Sequence, residues 1–177
     1  EGNASLLHPF VESKGNFGKQ YSRDMAYAAS RYTEAKLEEL CEKLWNMTMP
    51  NKPESSLYLF TSFDKRALNV MKRLHPEAEM MLLKSKPASP EILMEAYNMG
   101  IMRVGCKMDG TTRSTIRLGH KLGMIVSLWP GNNKEDFFLG AALGCDAMCC
   151  DRFFEVAEWA EKNLPFVKIK GYEKPQK

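Results

Sequence analysis

Beyond residue 56, short apolar runs alternate with segments in which apolar residues recur every three or four positions. Continuous apolar runs of this length are typical of strands buried on both faces, and the three-to-four spacing predicts amphipathic helices. The predicted strands are 57–63, 79–85, 101–108, 124–129 and 146–151. The predicted helices are 65–74, 90–99, 112–122, 134–143 and 153–163. Gly100, Gly123 and Gly144 stand where helices are expected to end.

Strands that alternate with helices at intervals of roughly 20 residues indicate an α/β fold with a parallel sheet. Five such units fit either an open doubly wound sheet or part of an eight-stranded barrel. The spacing does not decide between the two. In both arrangements ligands bind at the carboxyl ends of the strands, so the chemistry is sought there.

The first 45 residues follow a different pattern. Residues 1–22 predict a loop, whereas apolar positions from 23 to about 45 recur at helical spacing and predict one long helix. Residues 46–56 contain two prolines and two serines, so we expect a linker there. The remaining domain is predicted over 57–170, and the tail at 171–177 is expected to be disordered.

Composition and charge limit the choice of function. Apolar residues make up 44% of the chain and charged residues 27%, as in ordinary globular proteins. A net charge of +3 is too small to argue for nucleic-acid binding, and no apolar run is long enough to cross a membrane. The five cysteines form no repeated Cys-x-x-Cys pair, so we expect reduced thiols in a cytoplasmic protein. Three of them lie within 145–150, which we expect to be a buried strand.

Polar residues stand at the carboxyl ends of the predicted strands. They are Ser62, Asp64, Lys84, Lys107, Asp109, Asn132, Asp151 and Arg152. The three cations in this set could hold an anionic phosphate, and the three aspartates could hold a metal ion. Polar residues also stand at strand ends for structural reasons, and the sequence leaves both interpretations open.

Two histidines lie away from these strand ends. His75 precedes a proline at a helix end and His120 lies inside a helix, so we expect both to have packing or surface roles. Phosphodiester hydrolysis needs a proton donor for the leaving oxygen and usually a metal ion. The repeating part of the chain offers no suitable histidine for that task.

Three segments within 56–154 carry motifs. They are Thr-Ser-Phe-Asp at 61–64, Gly-Met-Ile-Val-Ser-Leu-Trp-Pro-Gly-Asn at 123–132 and Gly-Cys-Asp-Ala-Met-Cys-Cys-Asp-Arg at 144–152. Together they resemble the closing half of glycerophosphodiester phosphodiesterases. That family has Ser-Phe after a middle strand, Trp-x-x-Asn at the end of a late strand and Gly-x-Asp-apolar-Thr-Asp on the last strand. Trp129 and Asn132 match the second motif, and Asp151 matches the final aspartate.

This resemblance implies the later strands of a TIM barrel, which is a half barrel, with a small phosphodiester as ligand and Mg²⁺ or Ca²⁺ as cofactor. With the strand-end residues it gives a candidate substrate site of Ser62, Lys84, Lys107, Trp129, Asn132 and Asp151. The family's catalytic histidine pair and metal-binding carboxylates lie on early strands, and no residue of this chain matches them. We therefore expect a phosphoric diester hydrolase relative that is inactive on its own and whose metal ligands are not found.

The N-terminal part carries Gly-Asn-Phe-Gly at 15–18 and Ala-Ser-Arg-Tyr-Thr-Glu-Ala-Lys-Leu at 29–37. Over residues 6–44 the chain resembles the DNA-cleaving chain of bacterial type IIA topoisomerases, that is, the A subunit of gyrase and topoisomerase IV. The resemblance implies that Tyr32 attacks a DNA phosphodiester and that Arg31 assists. A neighbouring cation stabilises both the phenolate and the phosphate. DNA is a partner only under this alternative, and without the family's duplex-binding and Mg²⁺-binding parts we expect no cleavage.

A third hypothesis is not enzymatic. A half barrel has two open sheet edges, and such edges invite pairing with another chain. A homodimer formed through these edges would make the chain an assembly module.

Overall fold

The computed structural model describes residues 33–52, 54 and 58–164. The helices in this part of the chain are α1 (Glu34–Thr48), α2 (Lys65–Leu74), α3 (Pro90–Asn98), α4 (Arg113–Lys121), α5 (Lys134–Leu143) and α6 (Phe153–Asn163). The strands are β1 (Phe60–Ser62), β2 (Met80–Pro87), β3 (Arg103–Lys107), β4 (Ile125–Trp129) and β5 (Ala147–Met148). The predicted loop at 1–22, the beginning of the first helix and the tail at 171–177 lie outside the described residues.

Local capping explains why the helices were predictable. Helices α2 to α5 each begin after a short polar residue whose side chain accepts a hydrogen bond from a backbone N–H of the first turn. These caps are Asp64, Ser89, Thr112 and Asn133. At the other end, Gly144 follows α5 with a φ of 88°, a left-handed conformation that favours glycine. Gly100 and Gly123 also have positive φ, at 66° and 73°.

The five strands form one parallel sheet in the order β1-β2-β3-β4-β5. Each strand therefore lies beside the next one in the sequence, without the reversal of order that defines a doubly wound sheet. Sequential parallel order is the arrangement of a TIM barrel. Strands β1 and β5 are the outer strands and do not pair with each other, so the sheet is a partial barrel. This decides the alternative that strand spacing left open.

The helices cover one face of the sheet. Its central residues are fully buried, namely Leu82, Val104, Val126 and Leu128. Helix α4 packs closely on this face, because a Cβ at Gly119 would lie only 2.7 Å from Cγ2 of Val126. The core consequently sits between the helix layer and the sheet.

Helix α1 belongs to the same core. Leu37 and Cys41 are 3% and 1% exposed and belong to the same buried cluster, where the Cys41 thiol lies 3.8 Å from the carbonyl oxygen of Ala67 on α2. Further along the helix, the Trp45 ring stacks on His75 at 3.9 Å and on Phe60 at 5.6 Å between centroids. Packing therefore continues across the linker predicted at 46–56, and the division of the chain into domains stays a prediction. That stretch itself begins with the last turn of α1 and a 3-10 turn over Met49–Asn51.

The prediction of a buried strand over 145–150 is wrong in extent. Only Ala147–Met148 forms a strand, and Ala147 is exposed. Strand β5 pairs with β4 alone among the described strands, so it lacks the second neighbour that would bury it.

Burial raises the pKa of four thiols to about 11, those of Cys41, Cys106, Cys145 and Cys149.

None of the helices in the described part of the chain has the length and apolar character that a bilayer crossing requires.

Candidate functional site

Lys107 and Trp129 lie side by side at the carboxyl edge of the sheet. They are register partners at the ends of β3 and β4, so their side chains leave the same face. The Lys107 ammonium lies 5.9 Å from the centre of the Trp129 ring, within the range of a cation–π contact. Lys107 is exposed and forms no ion pair with any residue that the structure describes. It is therefore a cation that an anionic ligand can reach.

Trp129 also contacts a residue that follows the outer strand β1. Its ring meets Phe63 nearly at right angles, with 6.3 Å between centroids. In a flat sheet the strands that carry these residues would be about 14 Å apart, three spacings of about 4.8 Å. Because side chains stand roughly perpendicular to a sheet, this contact indicates a concave sheet. The indole nitrogen of Trp129 is buried and has no hydrogen-bond partner among the described residues.

Asn132 and Asp151 hold each other by two hydrogen bonds. The side-chain amide nitrogen of Asn132 donates to the Asp151 carboxylate at 3.0 Å. The Asp151 backbone N–H donates to Oδ1 of the same Asn132 side chain at 2.8 Å. The backbone N–H of Gly131 adds a bond to the carbonyl oxygen of Cys149 at 2.8 Å. These contacts tie the loop after β4 to the loop after β5. The two residues of the family motifs are thus brought together, and they serve first to fix this edge.

Ser62 and Asp64 are engaged in the turn after β1. The buried Ser62 hydroxyl accepts a hydrogen bond from the Asp64 backbone N–H at 3.0 Å. The Asp64 carboxylate caps α2 and pairs with Arg66 at 2.8 Å. Burial acts to raise the pKa of Asp64, but the hydrogen bonds from Arg66 outweigh it and hold the pKa below its usual value. The structural role of these strand-end residues is therefore visible, whereas a ligand role stays a prediction.

Lys84 is committed to another carboxylate. Its ammonium lies 2.6 Å from Glu95 of α3, and Lys65 of α2 lies at the same distance from the other oxygen of that carboxylate. Hydrogen bonds from Lys65 and Lys84 hold the pKa of Glu95 below its usual value. The structure thus places Lys84 of β2 in an ion-pair network with α2 and α3. It does not show the ammonium groups of Lys84 and Lys107 meeting at one ligand position.

Two further predicted residues lie in the same region. Arg152 lies 3.6 Å from Glu155, in an exposed pair at the start of α6. Asp109 is exposed in the loop after β3.

Sequence reasoning missed Thr111 in that loop. Its hydroxyl donates to the Lys107 carbonyl oxygen at 2.6 Å and accepts from the Ala88 backbone N–H at 2.9 Å. The turn-forming pair at 109–110 just before this threonine was the available signal.

The two described histidines have structural contacts, as predicted. His120 of α4 lies 3.0 Å from the carboxylate of Asp146, which also accepts the backbone N–H of Val126 at 2.8 Å. Asp146 precedes β5, so this pair is at the amino end of the sheet. His75 lies under Trp45, 3.4 Å from Glu42.

The described residues do not fit the Mg²⁺ or Ca²⁺ that the resemblance implies. No group of three or more His, Cys, Asp or Glu side chains in the described ranges is arranged to ligate a metal ion. Two of the three aspartates of the predicted set are instead committed to neighbours, Asp64 to Arg66 and Asp151 to Asn132, and Asp109 is exposed in the loop after β3. Arg31 and Tyr32, the predicted nucleophilic pair, lie outside the described residues.

Solved glycerophosphodiester phosphodiesterases share the fold. A phosphodiesterase from Oleispira antarctica, solved with its product sn-glycerol-3-phosphate, is 17% identical and superposes with a TM-score of 0.64 over 73% of this chain and 52% of its own. A glycerophosphodiester phosphodiesterase from Parabacteroides distasonis is 17% identical, with a TM-score of 0.58 over 75% and 54%. The chain spans about half the length of these structures. At such identity, the likeness shows the fold.

The N-terminal part matches a different family. The family model of the DNA gyrase/topoisomerase IV A subunit matches residues 3–61, a match that runs through α1 into β1. No curated protein matches the chain. Both resemblances drawn from the sequence are therefore confirmed, one by fold and one by sequence.

Proposed function

We propose that the chain is a glycerophosphodiester-phosphodiesterase-like half barrel that binds a small phosphodiester, or the phosphomonoester released from it, at the carboxyl edge of its sheet. One observation carries this proposal. Lys107 is an exposed cation at that edge which forms no ion pair with a described residue. The other predicted cations there, Lys84 and Arg152, face carboxylates of the protein. A phosphate would supply the anion that Lys107 lacks.

Three features support a ligand at this position. The Thr111 hydroxyl donates a hydrogen bond to the Lys107 carbonyl oxygen, which fixes the backbone at the end of β3. The indole N–H of Trp129 is buried and has no hydrogen-bond partner among the described residues, and such a donor is costly until an acceptor reaches it. The hydrogen bonds between Asn132 and Asp151 hold the loops after β4 and β5 in one arrangement at this edge. A preformed edge of this kind lowers the cost of binding.

We further propose that the chain does not complete hydrolysis by itself. Hydrolysis needs a general acid and, in the resembling family, a divalent metal ion. The described histidines pair with Glu42 and Asp146, away from Lys107, and the described carboxylates do not form a metal site. Binding and hydrolysis are therefore separate predictions for this chain. We also propose that the protein is cytoplasmic.

Binding is tested by isothermal titration calorimetry with sn-glycerol 3-phosphate, on the whole chain and on Lys107→Gln. We expect the variant to lose about tenfold or more in affinity, because hydrogen bonds to charged groups are worth about 1.5–3 kcal/mol. Lys84→Gln is the matched control and should keep its affinity, since Glu95 holds that ammonium. Equal losses in both variants, or no binding by the unmodified chain, would contradict the proposal.

Hydrolysis is tested separately with glycerophosphodiesters in the presence of Mg²⁺ or Ca²⁺. We expect no released alcohol. Clear turnover that disappears in Lys107→Gln would show that the chain is a complete catalyst and would overturn this part of the proposal.

A second candidate function is favoured by the match of residues 3–61 to the topoisomerase family. Under it, Tyr32 attacks a DNA phosphodiester with the help of Arg31. Denaturation with detergent after incubation with supercoiled DNA should then trap a covalent protein–DNA adduct that Tyr32→Phe abolishes. Nicking that is unchanged in Tyr32→Phe would remove this candidate.

The outer strands support a third, non-enzymatic proposal. Strands β1 and β5 each pair with one described neighbour, which leaves an edge that a second copy could extend. Light scattering at high concentration should then give the mass of a dimer. A monomeric mass throughout the concentration range would rule it out.

A further inference from the structure

We infer that the pair of Lys107 and Trp129 selects the headgroup of the ligand. It should favour phosphodiesters whose alcohol is uncharged and disfavour those that carry a quaternary ammonium group. This inference rests on the proposed phosphate site and deepens it, because it names which class of phosphodiester the site accepts.

The geometry around Trp129 carries the argument. A quaternary ammonium group binds proteins through the faces of aromatic rings, within about 6 Å of a ring centre. At the carboxyl edge, that position over Trp129 is taken by the Lys107 ammonium, at 5.9 Å from the ring centre. Phe63 packs against the same indole at an interplanar angle of 89°. The aromatic surface that would attract a cationic headgroup is thus already occupied by a cation of the protein.

Charge leads to the same conclusion. A trimethylammonium group entering this edge would have to displace Lys107 from the ring or lie beside it, and like charges at short range repel. Of the carboxylates at the same edge, Asp64 pairs with Arg66, Asp151 is held by the Asn132 amide, and Asp109 is exposed to solvent, where screening weakens its attraction for a cation over the ring. A phosphate without a cationic headgroup meets only attraction from Lys107. The same lysine therefore binds the phosphate and excludes the ammonium.

The inference is tested with two ligands of equal size. They are glycerophosphocholine and its neutral isostere, in which a 3,3-dimethylbutyl group replaces choline. By titration calorimetry, we expect the unmodified chain to bind the isostere about fivefold more tightly, which is about 1 kcal/mol and matches the repulsion of two unit charges about 4 Å apart in water. In Lys107→Met, which keeps a side chain of similar length, both ligands should bind more weakly. The preference should disappear or reverse, because the freed Trp129 face now attracts the cation.

Lys134→Met is the matched control. Lys134 is an exposed lysine at the start of α5, close to the same edge, and its substitution removes the same charge. We expect it to leave the preference for the isostere unchanged. Equal affinity for the two ligands in the unmodified chain, or a preference that persists in Lys107→Met, would overturn the inference while phosphate binding stands. If neither ligand nor sn-glycerol 3-phosphate binds the unmodified chain, the proposed function fails and the inference fails with it.

Discussion

Replacing Leu37 by alanine tests whether the topoisomerase-like helix is part of the folded core. Leu37 lies on α1 and is 3% exposed. Truncation to alanine removes three buried carbon groups, worth about 0.8 kcal/mol each. A cavity term is added where the site cannot collapse, but Leu37 and Val70 also line a surface groove, so relaxation is possible there. We therefore expect a loss of about 3 kcal/mol in the free energy of unfolding.

The assay is urea denaturation followed by circular dichroism and by tryptophan fluorescence. With Trp129→Phe and Trp159→Phe in all variants, the fluorescence comes from Trp45 alone, which reports on α1 through its stacking with His75, so the two signals should change together. In thermal melts, about 3 kcal/mol corresponds to a lower midpoint by roughly 6–12 °C for a chain of this size. Met47→Ala is the control, since Met47 lies on the same helix and is 65% exposed. It should cost less than about 0.5 kcal/mol.

Two results would refute this reasoning. Leu37→Ala could be as stable as the unmodified chain, which would mean that α1 contributes nothing to the core. Alternatively, the fluorescence signal could be lost well before the circular dichroism signal. That order would mean that α1 detaches first and that the boundary at 46–56 separates two folding units.

Three further predictions concern packing, the motif pair and the thiols. Gly119→Ala should cost about 1–3 kcal/mol in the free energy of unfolding, measured in urea, because the new methyl group would meet Val126 at 2.7 Å. Asn132→Ala should remove both bonds to Asp151 and weaken sn-glycerol 3-phosphate binding several-fold, at a stability cost of about 1–2 kcal/mol. The thiols of the buried Cys41 and Cys106 and of the half-buried Cys145 and Cys149 have a folded pKa raised from 9.0 to about 11, so they stabilise the fold below pH 9. That stability should be lost as the pH rises towards 11, seen as a falling melting midpoint.

The sequence predicted those parts of the fold that local interactions determine. Helices α2 and α5 have the bounds expected, because their caps, Asp64 and Asn133, lie next to them in the chain. The length of β5 depended on how many strands lie beside it, which no local pattern encodes. The same reason limits the candidate site. Lys84 and Lys107 look alike in sequence, and only the approach of Glu95 from α3 distinguishes them.

The candidate residues were chosen by their position in the parallel sheet, but the roles proposed for them depend on contacts made across it. Trp129 and Asn132 were identified from one motif. The structure then gives them different tasks, since Trp129 lies below Lys107 and Asn132 binds Asp151. Thr111 was missed because its role is to bridge two loops, which becomes visible only when β2 and β3 lie together.

The arrangement of the strands gives a reason to separate binding from hydrolysis. Lys107 and Trp129 lie on β3 and β4, inner strands with a neighbour on each side. The contact between Phe63 and Trp129 shows that the sheet is already curved between β1 and β4. The position of Lys107 over the indole is therefore determined within the half barrel, and we expect the proposed ligand binding there to require no other part of a barrel. Hydrolysis requires groups that the described strands do not bring to this edge. A chain that binds a phosphodiester without cleaving it is what this division of the fold predicts.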